Sequence, residues 1–469
     1  MNPIKFGTDG WRAVIAKDFT VNNVSRVALA TAQWLGKQKT KSSIVVGYDC
    51  RFGGLMFAEV VAKILALSGI KVFLSDNFAS TPMVSLGVVK LKADLGVVVT
   101  ASHNPPLYNG YKLKGAYGGP LLDDDIKAIE ALIPDSCHLN LDNCSVENLV
   151  DSGSIQYVDL ETIYCNHIEA HFDLQSIRDS DLSFAFDAMY GSGQNVMRRL
   201  FPDITFMHCE YNPGFDGVPP EPLLKNLTPF SQLIKLSENI DCGLAVDGDA
   251  DRIALFDHEG QYIDAHHIIL LLIHYLKKYK GQSGKVATAV SSTVKIAKMC
   301  KHYQLPLEIV PIGFKHVCAL MLKENILVGG EESGGISVAG HIPERDGIWN
   351  GLVVWEFMVK SGKSLRDIIN EVYDIVGPFA FKRSDLKIEP DLKKRIVNNC
   401  KNNVYSAFGP YKVVKTETMD GFKYYFSDNE WFMIRPSGTE PVLRTYAESH
   451  SEEGAADILK AGYETIMNI

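Results

Sequence analysis

Thr100-Ala101-Ser102-His103-Asn104-Pro105-Pro106 is the stretch whose residue types could do chemistry. The preceding run, Leu95-Gly96-Val97-Val98-Val99, is apolar and β-branched and predicts a buried strand. It stops at small polar residues and two prolines. Pro105 has no N–H to donate and pushes Asn104 toward extended geometry, so the strand must end in a rigid turn. A serine at the carboxyl end of such a strand stands where open α/β sheets hold their ligands. Tyr108-Asn109-Gly110-Tyr111-Lys112 is expected to turn and aim a cation back at the same region. Taken alone, Ser102 and Asn104 could equally cap a turn, so distant segments decide.

Asp247-Gly248-Asp249-Ala250-Asp251-Arg252 sets three carboxylates at alternate positions after an apolar strand. Like charges so close are costly unless a cation compensates them. Hard oxygen donors suit Mg²⁺ or Ca²⁺ rather than zinc. An EF-hand loop is excluded, because Arg252 stands at its glycine position and His258 at its glutamate position. The flanks read as strands, not helices. Three aspartates leave coordination positions open, which Mg²⁺ usually fills with water or phosphate oxygen.

Two further loops carry recognition chemistry. Arg435-Pro436-Ser437-Gly438-Thr439-Glu440-Pro441, with Arg444 on the next strand, is rich in backbone and hydroxyl donors beside two arginines, as phosphate nests are. Gly330-Glu331-Glu332-Ser333-Gly334-Gly335 offers acceptors suited to sugar hydroxyls on a glycine-flanked loop. Other matches are set aside. His167 and His171 have helical spacing but no His-Glu-x-x-His, so they read as a solvated helix face. Gly191-Ser192-Gly193 lacks the third glycine of a dinucleotide fingerprint and reads as a capped turn, and His266-His267 as a half-buried helix start.

The elements that must position these loops alternate. A strand at 44–48 ends in Asp49-Cys50-Arg51, a helix at about 57–68 leads to a strand at 71–74, and the serine strand follows. Such alternation predicts βαβ units and a largely parallel sheet. A polar stretch at about 134–154 marks a first boundary. The pattern restarts with strands at 182–186, 204–207 and 242–246, and again with a helix at about 265–279 and strands at 286–290 and 326–328. Beyond 372, strands at 379–386, 431–435 and 442–448 and a closing helix at 452–467 have a different texture. The expected fold is α/β, with three successive similar α/β domains with mixed sheets plus a smaller C-terminal α+β domain, arranged around a central cleft. The expected domains are 1–150 with the serine loop, 151–257 with the aspartate loop, 258–372 with the acidic glycine loop, and 373–469 with the arginine turn.

Bulk properties narrow the class. A chain of 469 residues is too long for one core, and 46% hydrophobic with 22% charged residues is ordinary for a globular enzyme. No apolar run approaches bilayer length, and the first residues lack a signal-peptide core, so no membrane partner is expected. Nine scattered cysteines without a Cys-x-x-Cys pair predict reduced thiols in a cytoplasm. A net charge of −9 argues against nucleic acid as main partner. It leaves anionic small molecules open, because local arginines and a metal reverse the sign inside a site. Monomer and dimer are both open.

In this order, the four loops resemble the α-D-phosphohexomutase family, the phosphoglucomutases and phosphomannomutases, across essentially the whole chain. The resemblance implies that Ser102 carries a phosphoryl group and that Asp247, Asp249, Asp251 and the serine phosphate hold Mg²⁺. It implies that Glu331 and Ser333 grip sugar hydroxyls, and that Arg435, Ser437, Gly438 and Thr439, with Arg444 nearby, clamp the phosphate that is not reacting. Arg12, His103, Lys112 and Arg252 match positions around the phosphoserine, and Gly313-Phe314-Lys315 a sugar-contacting loop. His341 and Arg345 lie in a segment resembling one in which a basic side chain handles protons. The implied reaction interconverts hexose 1-phosphate and hexose 6-phosphate, with glucose 1,6-bisphosphate as intermediate and activator and sugar phosphates as partners.

The chain departs from the family in places. Some bifunctional members have histidine where Gly335 stands, and some phosphoglucomutases have lysine where Arg345 stands; arginine is a poor proton acceptor. Glu331-Glu332-Ser333 looks like the glucose-preferring branch, and Glu332 replaces the glutamine of phosphoglucosamine mutases. The expected enzyme is a phosphoglucomutase, with a phosphomannomutase or a dual glucose/mannose mutase as alternative. Two other classes compete: a metal-dependent phosphatase with an aspartate nucleophile, and a non-catalytic sugar-phosphate binder.

Overall fold

A computed structural model describes residues 4–141, 144–237, 239–436 and 442–468. The chain divides into two compact units, residues 1–272 with 313–368 and residues 273–312 with 369–469.

The first unit opens with strands β1 (Trp11–Val14), β2 (Ser43–Tyr48), β3 (Lys71–Ser75), β4 (Leu95–Val99), β5 (Tyr108–Gly115) and β6 (Ile155–Val158). They form one sheet in the order β1-β5-β4-β2-β3-β6. Strands β4, β2, β3 and β6 are parallel, while β5 runs antiparallel to both of its neighbours, β4 and β1. β4 is buried at every position, as its unbroken apolar run requires. Helices Val21–Gln38 and Gly54–Leu67 cover one side of this core, and Thr20 caps the first by accepting from the Asn23 N–H.

A second sheet holds β7 (Phe184–Asp187), β8 (Thr205–Met207), β9 (Cys242–Val246), β10 (Ile253–Asp257) and β11 (Tyr262–Ile263), in the order β11-β10-β9-β7-β8. β7, β8 and β9 are parallel, and β10 folds back antiparallel on β9 through the aspartate loop. The antiparallel pair Ile326–Gly330 and Ile336–Val338 brackets the acidic glycine loop, and helix Gly347–Ser361 follows with Asp346 as its N-cap.

The second unit contains the parallel pair Lys285–Ala289 and Leu307–Val310. It also holds an antiparallel sheet of Ala380–Lys387, Val442–Ser449, Trp431–Pro436, Phe422–Tyr425 and Lys415–Glu417. Helix Glu452–Met467 packs on it, with Ile458 and Ile466 in one core with Phe432 and Leu443. The fold is α/β with mixed sheets and a smaller C-terminal domain. All nine cysteines are free thiols. No described helix is long and apolar enough to cross a membrane.

Candidate active site

The serine turn is tied at several points. Thr100 Oγ1 donates to Asp49 Oδ2 at 2.5 Å and accepts the Ser102 N–H at 2.8 Å. Ser102 is buried and left-handed, with φ of 53°. Its Oγ donates to Asp247 Oδ2 at 2.7 Å, joining residues 145 positions apart. His103 Nδ1 lies 3.3 Å from Ser102 Oγ, and its Nε2 3.5 Å from Arg252 Nη2. Burial, then the Arg252 and Arg12 charges, hold this imidazole well below its usual range, so it is neutral. Arg12 Nη1 donates to Asn104 Oδ1 at 2.6 Å.

One expectation is corrected. Tyr108–Gly115 is strand, not turn; the reversal lies earlier, where the Asn104 N–H bonds Ala101 O and the Tyr108 N–H bonds Pro105 O. Pro105 and Pro106 complete the bend before Tyr108, so the Asn-Gly pair is left inside a ladder with β4 and β1. The two-residue period of a strand then puts Lys112 and Lys114 on the same face.

The aspartate loop is equally constrained. Asp247 Oδ1 accepts the N–H groups of Asp251 at 2.9 Å and Arg252 at 3.0 Å. One carboxylate oxygen from each of Asp247, Asp249 and Asp251 lies within 4.8 Å of the others, and all three residues are buried. Burial and then Asp249 and Asp251 push the Asp247 carboxyl well up. At Asp249 burial acts the same way, but Lys112 outweighs it and the carboxyl is held low.

Lys112 Nζ lies 2.7 Å from Asp249, 2.9 Å from Asp251 and 2.9 Å from Asp9. Lys114 Nζ pairs with Glu344 at 2.6 Å and with Asp9 at 3.8 Å. Arg345 Nη2 bonds Asp9 and lies 2.7 Å from Asp251, with Nε 3.5 Å from Glu344. Burial works against the Arg345 charge, but Asp251, Asp9 and Glu344 outweigh it and push its basicity up. Arg345 therefore stays protonated and takes up no proton.

A divalent cation fits this donor set. Asp249 Oδ1 and Asp251 Oδ1 are buried and have no hydrogen-bond partner among the described residues, although acceptors so placed are costly to leave unpaired. Asp9, Asp247, Asp249, Asp251 and Glu344 gather around Lys112, Lys114 and Arg345, with Arg12 and Arg252 acting on the same carboxylates. All donors are oxygen, the chemistry that magnesium prefers.

The acidic glycine loop joins the same unit. Glu331 Oε1 accepts the Gly313 N–H at 2.6 Å, and the Gly334 carbonyl accepts the Ile253 N–H at the start of β10. Burial and then Glu332 push the Glu331 carboxyl up to about 7. Ser333 is half-buried in the turn. Phe314 lies under the Arg345 guanidinium at 5.5 Å, and Lys315 Nζ bonds Asp123 at 2.6 Å. A Cβ on Gly335 would meet Arg345 Cδ at 2.5 Å, so the arginine stem fills the space that a side chain there would need.

His341 sits in a different cluster. Its Nε2 bonds Asp346 at 2.9 Å, its Nδ1 lies 3.3 Å from His167 Nε2, and its ring stacks on Trp349 at 3.9 Å. The solvated-face reading of His167 is thereby corrected: its ring is half-buried against Trp349, because Asp346 and helix Gly347–Ser361 dock there, while His171 is exposed. In the second unit, Arg435 pairs with Asp420 at 3.1 Å and Arg444 lies 3.9 Å from Asp385. Ser437, Gly438 and Thr439 lie outside the described residues.

Ser102, His103, Lys112, Arg252, Arg345 and the three aspartates are thus joined through direct contacts, and Arg12 is tied to the serine turn through Asn104. Asp9, Thr81, Lys114 and Glu344 belong with them and were missed; Thr81 Oγ1 donates to Asp249 at 2.5 Å. Alternation along Lys112-Leu113-Lys114 was the available signal for Lys114; Asp9 lies in the glycine-bracketed loop that presents Arg12 and Glu344 in the segment of His341 and Arg345, and only Thr81 sits in an unremarkable context.

Comparison with known proteins identifies the family. The descriptions of phosphoglucomutase/phosphomannomutase α/β/α domains I, II and III match residues 3–137, 162–260 and 264–376, and that of the C-terminal domain matches 392–464. A phosphoglucosamine/phosphogalactosamine mutase of Sulfurisphaera tokodaii is 29% identical over 460 residues, 97% of each chain. A phosphoglucomutase/phosphomannomutase of Thermococcus kodakarensis is 27% identical over 467 residues, 98% of each chain. A crystal structure from Thermus thermophilus, provisionally named a phosphomannomutase, superposes with a TM-score of 0.87 at 30% identity over 99% of both chains. The chain therefore belongs to the phosphoglucomutase/phosphomannomutase family, the α-D-phosphohexomutases.

Proposed function

We propose that this phosphohexomutase interconverts glucose 1-phosphate and glucose 6-phosphate, with Ser102 as phosphoryl carrier. The observation that supports it most is the 2.7 Å bond from Ser102 Oγ to Asp247 inside the carboxylate trio. Phosphoryl transfer needs positioning and charge neutralisation more than covalent help. Asp247, Asp249 and Asp251 would hold Mg²⁺, which would neutralise charge on the transferring group. Lys112, Arg12 and Arg252 add fixed positive charge. The P–O bond to Ser102 breaks as one forms to the free hydroxyl of the hexose phosphate. The proton of that hydroxyl passes to a base, a role that Arg345, held protonated by Asp251, Asp9 and Glu344, does not fill. The resulting 1,6-bisphosphate turns end for end and rephosphorylates Ser102 with its other phosphate. Glu331 and Ser333 would bind sugar hydroxyls in both orientations. Arg435, Ser437, Gly438, Thr439 and Arg444 would hold the spectator phosphate.

The Glu331-Glu332-Ser333 loop is our reason for preferring glucose. A second reading, glucosamine phosphate, is favoured by the name of the Sulfurisphaera relative; mannose is the third. An aspartate-nucleophile phosphatase is disfavoured, because Asp247 Oδ1 is held by two N–H groups and Oδ2 by the serine hydroxyl. Turnover measured side by side on glucose, mannose and glucosamine 1-phosphates, after intact-mass analysis, tests the proposal. One added phosphoryl group after incubation with glucose 1,6-bisphosphate, absent in Ser102→Ala together with all turnover, is the expected result. Full activity in Ser102→Ala would refute it.

A further inference from the structure

The loop after β2, Asp49-Cys50-Arg51, entered the sequence reading only as a strand end. Arg51 is 1% exposed, and its guanidinium is spent on the serine turn. Nη2 donates to Ser102 O at 2.5 Å and Asn104 O at 2.6 Å, and Nη1 to Pro105 O at 2.9 Å and Tyr108 O at 3.0 Å. One planar fork thus gathers carbonyls from the whole reversal between β4 and β5. Asp49 Oδ2 supplies the counter-charge at 3.3 Å from Nε, and the Phe215 ring closes the site at 5.0 Å.

Ser102 needs such support, because its left-handed backbone is one that non-glycine residues avoid. Its N–H is held by Thr100 Oγ1, itself bonded to Asp49, and its carbonyl by Arg51. Both sides of Ser102 are therefore tied back to the end of β2.

The second sheet provides an internal comparison. β7 also ends in an aspartate, and Asp187 Oδ1 accepts the N–H two residues on, from Met189, at 2.7 Å, as Asp49 Oδ1 accepts that of Arg51 at 3.0 Å. β9 lies beside β7 and carries the aspartate loop, as β4 lies beside β2 and carries the serine. Met189 stands where Arg51 would be. Of these two otherwise similar strand ends, the one with a guanidinium adjoins the reacting hydroxyl.

We propose that Arg51 is a positioning residue for phosphoryl transfer, fixing the carbonyls of residues 102–108 so that Ser102 Oγ keeps its place beside Asp247. The inference rests on Ser102 being the phosphoryl carrier. It is tested on wild type, Ser102→Ala, Arg51→Lys and Thr100→Val, using steady-state kinetics on glucose 1-phosphate, the rate of mass gain from glucose 1,6-bisphosphate, and circular dichroism melts. Lysine keeps the charge but cannot reach four carbonyls; valine removes the Thr100 hydroxyl at nearly constant volume. Arg51→Lys should lose about 10²-fold in kcat and phosphorylation rate, the scale of a misplaced reactive group, with KM within about threefold. Thr100→Val should lose about tenfold in the same two quantities, and it decides the matter if Arg51→Lys does not fold. Wild-type kcat in either folded variant, or a loss matched by the loss of folded protein, overturns the proposal. No phosphorylation in wild type would instead overturn the reading of Ser102.

Discussion

Lys112→Met offers the sharpest test of the charge balance at the site. Lys112 is fully buried and within 3 Å of Asp9, Asp249 and Asp251. Removing one partner of a buried ion pair costs about 3–5 kcal/mol, because the other charge is left uncompensated. Each carboxylate keeps another donor, Thr81 for Asp249 and Arg345 for Asp251 and Asp9, so the lower end, about 3 kcal/mol, applies here. At roughly 2–4 °C per kcal/mol, the first melting transition in EDTA should fall by roughly 6–12 °C. Mg²⁺ should restore much of the loss. In wild type a cation at a hundred times its Kd adds about 2.7 kcal/mol. Without the competing ammonium the trio should bind Mg²⁺ at least about tenfold more tightly, a further ~1.4 kcal/mol. Paired melts over a Mg²⁺ titration would therefore show the gap narrowing as metal is added. A variant that melts like wild type in EDTA, or gains no more from Mg²⁺ than wild type does, refutes the reasoning.

Two other perturbations probe the neighbouring loops. The buried Glu331 carboxyl is raised from 4.5 to about 7, so between those values the folded chain holds a proton that the unfolded chain has lost. Stability then falls as pH rises through that window, by at most about 3 kcal/mol. Glu331→Gln should remove this cost, melting higher than wild type at pH 8 but by less at pH 6, while KM for sugar phosphate rises; an equal gap at both pH values would count against it. In Gly191→Ala the new Cβ would lie 2.7 Å from Gly248 O and 2.8 Å from its Cα, between two of the metal-candidate aspartates. Mg²⁺ affinity should drop with kcat in that variant, and an unchanged Mg²⁺ dependence of turnover would show that the aspartate loop does not rest on Gly191.

Much of the architecture was written locally. Leu95–Val99 is buried throughout because every residue of the run is small or apolar. The closing helix spans Glu452–Met467, the bounds expected of it, and Ser451 caps it by accepting the Gly454 N–H. Where local signals competed, tertiary pairing won. Tyr108-Asn109-Gly110 has a turn-like sequence, yet it lies in a ladder because Pro105 and Pro106 had already reversed the chain. His167 has the pattern of a solvated face, yet Trp349 from a distant helix covers it.

By itself the order of residues determined the reactive types: a serine after an apolar strand, three carboxylates at alternate positions, a glycine-flanked acidic loop. Those depend on neighbours a few positions away, where periodicity and turn chemistry act. Only the tertiary structure decided which charges meet. Asp9 to Arg345 spans 336 positions and Lys114 to Glu344 spans 230, and no local rule couples such distant groups. Burying five acids together is tolerable only where lysines, an arginine and room for a cation arrive from other segments, and folding alone brings them there.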